Sequence, residues 1–564
     1  MKLTVLAAGI LAAGVLVSAT LISLTASANP GASIRILFDL GDGTYVWASG
    51  VVPDPSATNA TWLAVQDAAR ASGVAIESAW YACCGVAISD LGGRHSPAGF
   101  IGLYAWNATT HAWAFTGSGI SGLVVQDGDA IALYNAGFDS ASFAGRLPVP
   151  TPDDPRPTLE FRGDLSNSGT SGSAAPADGR LLWDHDTGSR EIGSTPAIAW
   201  GKVFVNTLEG FTVLDARTGA SIWATPHIQG FSSPAVFDGS VIVGTRNGTV
   251  VRMNATSGTV MWEQPLLSET QFSGITSSPK VAYDSVFIGV FNESGGPGEV
   301  ASLWASNGTI AWRHPTGSID FSSPAYADGT VYVGVMGFYN RTTQVTFDPP
   351  YGVLALDGRT GAQRWFFETD DSVAASPVVA GAMLIIPSKD GNVYAVNRSS
   401  GIEVWRASAA AGISSPAFDG DTVYVGGGAF GGAGHVRALD VATGSTRWTF
   451  SPNGPVQASV TYAGGTVLFA TNTARGIVYA LNATNGAMRW SFSPSPAEYI
   501  LGSPVVADGV VFAPSDNGHV YALAETQTVP HLQLPVLELG VVVVVVGIVA
   551  VAAWFVVRRS RRVP

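Results

Sequence analysis

The sequence predicts an all-β fold: an eight-bladed β-propeller preceded by a small N-terminal α+β domain and followed by one transmembrane helix. Three observations predict it. The first is composition. Gly 67, Pro 32 and Trp 16 in 564 residues, with only 13% charged residues, describe a turn-rich and aromatic-rich chain with little of the vocabulary of helical bundles. The second is an internal repeat marked by tryptophan, and the third is the chemistry of the two chain ends.

The repeat is a small turn followed by Trp. Trp223, Trp262, Trp312, Trp365, Trp405, Trp448 and Trp490 each lie four residues after a glycine, and successive copies are 39 to 53 residues apart. That period suits one four-stranded blade. A second element precedes each copy: Thr195-Pro196, Ser233-Pro234, Ser278-Pro279, Ser323-Pro324, Ser376-Pro377 and Ser415-Pro416, then Ser459-Val460 and a final Ser503-Pro504. Between them lie an Asp-Gly turn, a continuous apolar strand such as VIVG, a tight hairpin and a third strand. Eight starts need eight outer strands, yet only seven follow them. Leu181-Leu182-Trp183 supplies the eighth, so the two ends of residues 158–524 are expected to share one blade, with Leu181–Trp183 beside His519–Leu523. Closure of this kind removes free sheet edges.

Residues 29–146 form the N-terminal unit. Two strands flank Asp39-Leu40-Gly41-Asp42-Gly43, whose aspartates lack the ligand series of a calcium loop and read as a turn. TWLAVQDAARAS (Thr61–Ser72) predicts a short amphipathic helix stopped by Gly73, and strands follow it. Hairpin, helix, then strands is a β-grasp-like order. It resembles the domain at the C-terminus of transcobalamin, through the aromatic segment Tyr104–Trp113 ahead of the turn Asp127-Gly128-Asp129. Residues 147–157 hold five prolines and predict an extended linker without a ladder.

The ends read as addresses. Lys2, an apolar run and Ala26-Ser27-Ala28 predict a signal peptide over 1–28, with an uncleaved anchor as the alternative. A stalk (525–538) leads to an uncharged apolar stretch (539–557) long enough to span a bilayer, and Arg558, Arg559, Arg561 and Arg562 in the tail 558–564 predict a cytoplasmic end. The expectation is a single-pass protein of the cell membrane with its ectodomain outside. With Lys2 and those four arginines set aside, 24 basic residues face 42 acidic ones, a charge of −18, which argues against a nucleic-acid partner.

FRGDLSNSGTSG (Phe161–Gly172), the SSPxxxDGxVYVG run and ALDxxTGxxxW (Ala355–Trp365) resemble the PQQ-like β-propeller repeat family, over some 365 residues. That family includes quinone-dependent dehydrogenases, the lipoprotein subunit of the outer-membrane assembly machine, and many exported proteins without demonstrated chemistry. The resemblance therefore implies the fold and leaves function open. The leading expectation is a non-enzymatic binding or scaffold module with no cofactor and no catalytic or metal residues. The alternative is a quinoprotein alcohol or sugar dehydrogenase using PQQ and Ca²⁺. Cys83 and Cys84 are adjacent, and a vicinal disulfide occurs in some such dehydrogenases, but within the propeller rather than ahead of the linker. They are expected to pair, with two buried thiols as the alternative. Asn59, Asn292 and Asn340 are the glycosylation candidates among nine sequons, being in longer loops. Three hairpins are expanded, Phe291–Glu299, Met336–Tyr351 and Gly426–Gly434, and with Phe338, Tyr339 and Phe347 they predict the face that takes a protein or envelope ligand. Trp183 joins the seven repeat tryptophans in a purely structural role.

Overall fold

The computed structural model describes residues 32–525, apart from 42–44, 56, 82–84, 96–100, 108–111, 117–118, 136–149, 151, 153–159, 268–273 and 283. The signal peptide (1–28), the apolar stretch (539–557), the tail, Cys83 and Cys84 lie outside the described residues, as do most of the stalk and linker.

In the N-terminal unit, β1 (Ala32–Asp39) pairs antiparallel with β2 (Tyr45–Val52), and α1 (Ala60–Ser72) follows. α1 ends on Gly73 at φ 74°, whose N–H bonds back to the last turn, as the sequence predicts for a glycine stop. A hairpin, β3 (Ile76–Tyr81) and β4 (Gly85–Leu91), continues into the short β5 (Arg94–His95) and forms its own small sheet. β6 (Gly102–Asn107), β7 (Ala112–Phe115) and β8 (Ala130–Tyr134) complete the main sheet in the order β2-β1-β8-β6-β7, with β1 and β8 parallel. One face buries Ile34, Ile36 and Phe38 against Trp62, Val65 and Ala69 of α1.

From Arg180 onward the chain builds four-stranded antiparallel sheets, eight in all among the described residues. Each runs from a short inner strand of two or three residues at the axis to an exposed outer strand; one is Ala235–Phe237, Ser240–Gly244, Thr249–Asn254 and Val260–Pro265. The outer strand of the last sheet is Arg180–Asp186, which pairs with His519–Ala524 in the register Leu181↔Leu523 and Trp183↔Ala522. The seventh sheet gains a fifth strand, Thr170–Ser171, lying parallel to Thr461–Ala463.

The apolar core lies between sheets rather than within them. Phe204, Phe211 and Val213 of the first sheet pack on Val241, Val243 and Val251 of the second. Equivalent layers fill every junction to the last, where Phe512 and Val520 meet Val203 and Val205 of the first. A propeller follows from this: no sheet can bury both faces until its neighbours stand beside it.

The repeat tryptophans weld these layers. Each indole N–H donates to a carbonyl on the next sheet, from Trp183 to Ala216 (3.0 Å) through Trp448 to Ala483 (2.8 Å). Each ring also covers the glycine of the next turn. A Cβ on Gly401 would lie 2.8 Å from Trp365, and the residue holds φ 72°, so both space and backbone demand glycine there. The last indole, Trp490, finds its acceptor at Pro176 and its glycine at Gly179, on chain that precedes the first blade.

One expectation needs correction. The placement as a single-pass membrane protein, with an outside ectodomain and a cytoplasmic C-terminus, is not supported, because among the described residues no helix is long and apolar enough to cross a membrane. The α-helix α1 has 13 residues, about 20 Å at ~1.5 Å per residue, against a hydrocarbon core of about 30 Å. The stretch 539–557 that prompted the expectation falls outside the described residues.

Candidate functional site

The Ser-Pro elements bring their hydroxyls to the axis. Thr195 N–H donates to Ser233 Oγ (2.9 Å), Ser233 to Ser278 (3.0 Å), Ser278 to Ser323 (2.9 Å), Ser323 to Ser376 (2.8 Å) and Ser376 to Ser415 (2.9 Å). Ser459 N–H donates to Ser503 Oγ (2.9 Å), and Ser503 N–H returns to Thr195 Oγ1 (3.2 Å). At the one copy where valine replaces proline, Val460 has an N–H and gives it to Ser415 O (3.1 Å). The departure in sequence thus supplies the remaining link. Read from sequence, these positions looked like strand starts that tolerate proline; that a hydroxyl recurs in every copy was the available signal for an axial ring.

One side of this ring is closed by residues 160–173, chain that precedes the first blade. Its carbonyls take N–H groups from successive inner strands: Leu165 from Tyr326, Ser166 from Val379, Ser168 from Phe418 and Gly169 from Tyr462. Asn167 Nδ2 bridges Ser323 O (3.1 Å) and Pro377 O (3.2 Å), and Arg162 donates to Pro416 O. Lys280, fully buried, gives its ammonium to Glu160 (3.1 Å), Phe161 O (3.1 Å) and Asp164 O (2.7 Å). Burial pushes the Glu160 carboxyl up while the Lys280 charge opposes it. The FRGDLSNSGTSG motif is therefore a plug.

The other side is a funnel, with a cavity of about 50 Å³ at the axis. Phe231, Phe321, Ile413 and Leu501 line it with Thr276 and Gln457. Phe231 and Phe321 meet edge to face at 6.5 Å. Phe321 stands at φ 62°, a left-handed conformation that costs a bulky residue about 1–3 kcal/mol. What holds it is Thr276, whose hydroxyl donates to Asp320 (2.8 Å) and accepts the Phe321 N–H (3.0 Å). Burial pushes the Asp320 carboxyl up to about 6. On the same face burial, with Glu191 adding, pushes Asp516 up to about 7.

The expanded hairpins open on this funnel face. Residues of Phe291–Glu299 and Met336–Tyr351 join: Phe291 packs on Tyr339 (5.6 Å) and Phe347 (6.0 Å), and Tyr339 on Phe347 (5.6 Å). Tyr339 and Phe347, expected as free anchors, are thus engaged with Phe291, and Val345 is the exposed tip, 78% accessible. The third hairpin borders a recess of about 580 Å³ between Gly428–Ala433 and Ala410–Ile413, with Phe430, Lys389 and His435 on its wall. Phe430 stacks on Tyr499 at 5.7 Å. Burial lowers the His435 pKa; its Nε2 lies 2.6 Å from Ala409 O and donates to it, because a carbonyl oxygen can only accept.

The glycosylation candidates are all in turns. Asn59 begins α1 at φ 64° with its side-chain oxygen buried and unbonded. Asn292 Nδ2 donates to Pro297 O (2.9 Å) and Asn340 Nδ2 to the Asp348 carboxylate (3.1 Å). Each nitrogen that a glycan would modify in these two loops is engaged within its own loop.

The axial residues do not fit a bound quinone with Ca²⁺. A tricarboxylate cofactor needs cations and a space in the usual range of about 300–1,000 Å³, whereas the axial cavity of about 50 Å³ is lined by hydroxyls, Gln457 and apolar side chains, with no cation among them. Among the described residues no three His, Cys, Asp or Glu side chains are grouped to hold a metal.

Three comparisons bear on this geometry. The family profile described as outer membrane protein assembly factor BamB matches residues 168–346, 297–433 and 432–529. Two curated relatives with that name are similar: one from Moranella endobia, 24% identical over 44% of this chain and 62% of its own length, and one from Yersinia pestis, 28% identical over 39% and 65%. The chain thus covers less than two thirds of either. Among solved structures, the quinohemoprotein alcohol dehydrogenase ADHIIG from Pseudomonas putida HK5 superposes with a TM-score of 0.56 at 15% identity, over 66% of this chain and 80% of that one. At that identity the likeness concerns the fold alone.

Proposed function

The chain belongs to the PQQ-like propeller family described as outer membrane protein assembly factor BamB, and from that membership we propose that it is a binding and scaffold module. Its partner docks on the funnel face of an eight-bladed ring. The observation that carries this reading is the asymmetry of the two faces: one is filled by residues 160–173, while the other gathers the three long hairpins and a recess of about 580 Å³. Added length on one face of a repeat array is where such proteins place their contacts. The name of the relatives, an assembly factor, supports a protein as the partner. Residues 29–146 and 158–524 are the two units of this scaffold, and a helix on one sheet face with β1 parallel to β8 supports the β-grasp-like reading of the first.

A photo-crosslinker at Val345 tests the reading against one at Val404, 53% accessible on an outer strand. Protein adducts are expected from Val345 and lost when the three hairpins are shortened. Adducts from Val404 alone refute the docking face. The dehydrogenase reading is the alternative, with a polyvinylalcohol dehydrogenase from Sphingopyxis sp. 23% identical over 44% of this chain, and purified protein mixed with pyrroloquinoline quinone and Ca²⁺ is expected to reduce no dye above a quinone-free control.

A further inference from the structure

The main sheet of the N-terminal unit has a second face that α1 does not cover. It carries Leu37, Tyr104, Trp113 and Tyr134, flanked by Trp47 and Trp106. Such a face should be wet, yet Tyr104 is 1% and Trp113 5% accessible. What lies on it is the chain that leaves the domain. Pro150 and Pro152 are both buried. The Trp113 indole N–H donates to Pro150 O at 2.8 Å in a buried bond, and the Arg35 guanidinium donates to Pro152 O at 3.1 Å.

The chemistry of this contact is specific. Proline has no N–H and an extended proline-rich segment makes no internal hydrogen bonds, so its carbonyls project outward as unsatisfied acceptors. A receptor for it needs flat apolar walls for the rings and one or two donors for those carbonyls. Here Trp113 supplies both. Its ring is stacked beside Trp47 (centroids 6.3 Å, planes at 23°) and meets the edge of Trp106 (5.3 Å, 71°), while its nitrogen reaches a proline carbonyl. Arg35 supplies the second donor two residues further along. The linker sequence LPVPTPDDPRP holds five prolines in eleven residues, so few of its residues carry an N–H that could satisfy those carbonyls from within the segment.

We propose that the aromatic face of the N-terminal sheet is a binding site for extended proline-rich segments, filled in cis by the linker at Pro150 and Pro152. The same groove accepts such a segment in trans once the linker is weakened. The site is separate from the funnel face and stands whether or not a partner docks there. A tethered occupant acts at an effective concentration of about millimolar, so an added peptide competes poorly with the intact linker, and this sets the design of the test.

A fluorescein-labelled peptide LPVPTPDDPRP is titrated against the full chain and against its Pro150→Ala/Pro152→Ala variant, followed by anisotropy. The double variant is expected to bind at least ten-fold more tightly than the unaltered chain. Adding Trp113→Phe, which keeps a ring and removes the donor, is expected to reverse most of that gain. A peptide with every proline replaced by alanine is expected not to bind. A double variant with an unchanged circular dichroism spectrum that binds neither peptide, or both equally, overturns the proposal. A second measurement avoids the prolines: Arg35→Gln, at an exposed position, is expected to raise hydrogen exchange of the Trp113 indole at least ten-fold, and an unchanged rate refutes the cis contact.

Discussion

The two faces of the propeller are built from the same repeat and have come to differ in kind. On the plugged face seven of the eight blades offer the same turn, the same glycine and the same indole, and the entering segment satisfies four inner strands one after another. On the funnel face three blades carry expanded hairpins while others keep one short turn, as at Thr245–Thr249, Ser388–Asn392 and Ser515–His519. There Phe321 and Ala410 hold left-handed backbone at φ 62° and 44°, and Asp320 and Asp516 are half-buried with pKa values raised to about 6 and 7. Uniformity marks where the ring is held together; added hairpin length marks where the blades have diverged.

The sharpest way to break this contrast is at the seam. Trp490→Ala removes an indole that is 8% accessible and the only one that docks on chain ahead of the first blade. Loss of unfolding free energy at the upper end of about 3–5 kcal/mol is expected, read by urea denaturation. A loss below about 1 kcal/mol would show that the plugged face is not where stability resides. Next comes the plug's ion pair. Lys280→Met leaves Glu160 buried without its partner and is expected to cost about 3 kcal/mol, while Lys280→Met with Glu160→Met is expected to recover most of it.

The funnel face should respond to pH in the opposite sense to most carboxylates. Asp320 and Asp516 titrate near 6 and 7 when folded and near the ordinary value of about 4 when unfolded. Between those values the native state holds more protons, so stability falls as pH rises through that window and is greatest on its acid side. Thermal unfolding is expected to show a higher Tm at pH 5 than at pH 8, with a smaller difference in Asp320→Asn or Asp516→Asn. A Tm difference unaltered in both variants would assign the slope elsewhere. The smallest expected effect has the reverse sign: Ala410→Gly relieves the left-handed backbone at an exposed position and should add up to about 1 kcal/mol, provided the glycine's greater freedom when unfolded does not cancel it.

How much of this was legible in the sequence follows the same division. The Gly-to-Trp spacing and the Ser-Pro starts repeat, so pattern alone locates the blades, and the count of outer strands puts Leu181–Trp183 beside Leu523, where the register has them. Phe161–Gly172 could be recognised as a family motif but not as a plug, because its partners at Lys280, Tyr326, Phe418 and Tyr462 lie between 116 and 293 positions away, and nothing local encodes them. The hairpins were visible as extra length, yet the packing of Tyr339 and Phe347 on Phe291 joins two different blades and was not. The linker reads as an extended segment without a ladder, since its composition says extended and cannot say extended against what. The membrane placement rested on hydropathy in a stretch beyond the described residues.

The shared last blade has a consequence for how the chain is made. Arg180–Asp186 emerges early in synthesis but its neighbour, His519–Ala524, is more than 330 residues later. Until those last residues arrive, an edge strand stays unpaired through most of translation, and at roughly 5–20 residues per second that wait lasts on the order of half a minute. Contacts of such long range also slow folding. A truncated product ending anywhere before residue 519 never escapes that condition, and is expected to aggregate through the strand that waits rather than persist as a shorter propeller.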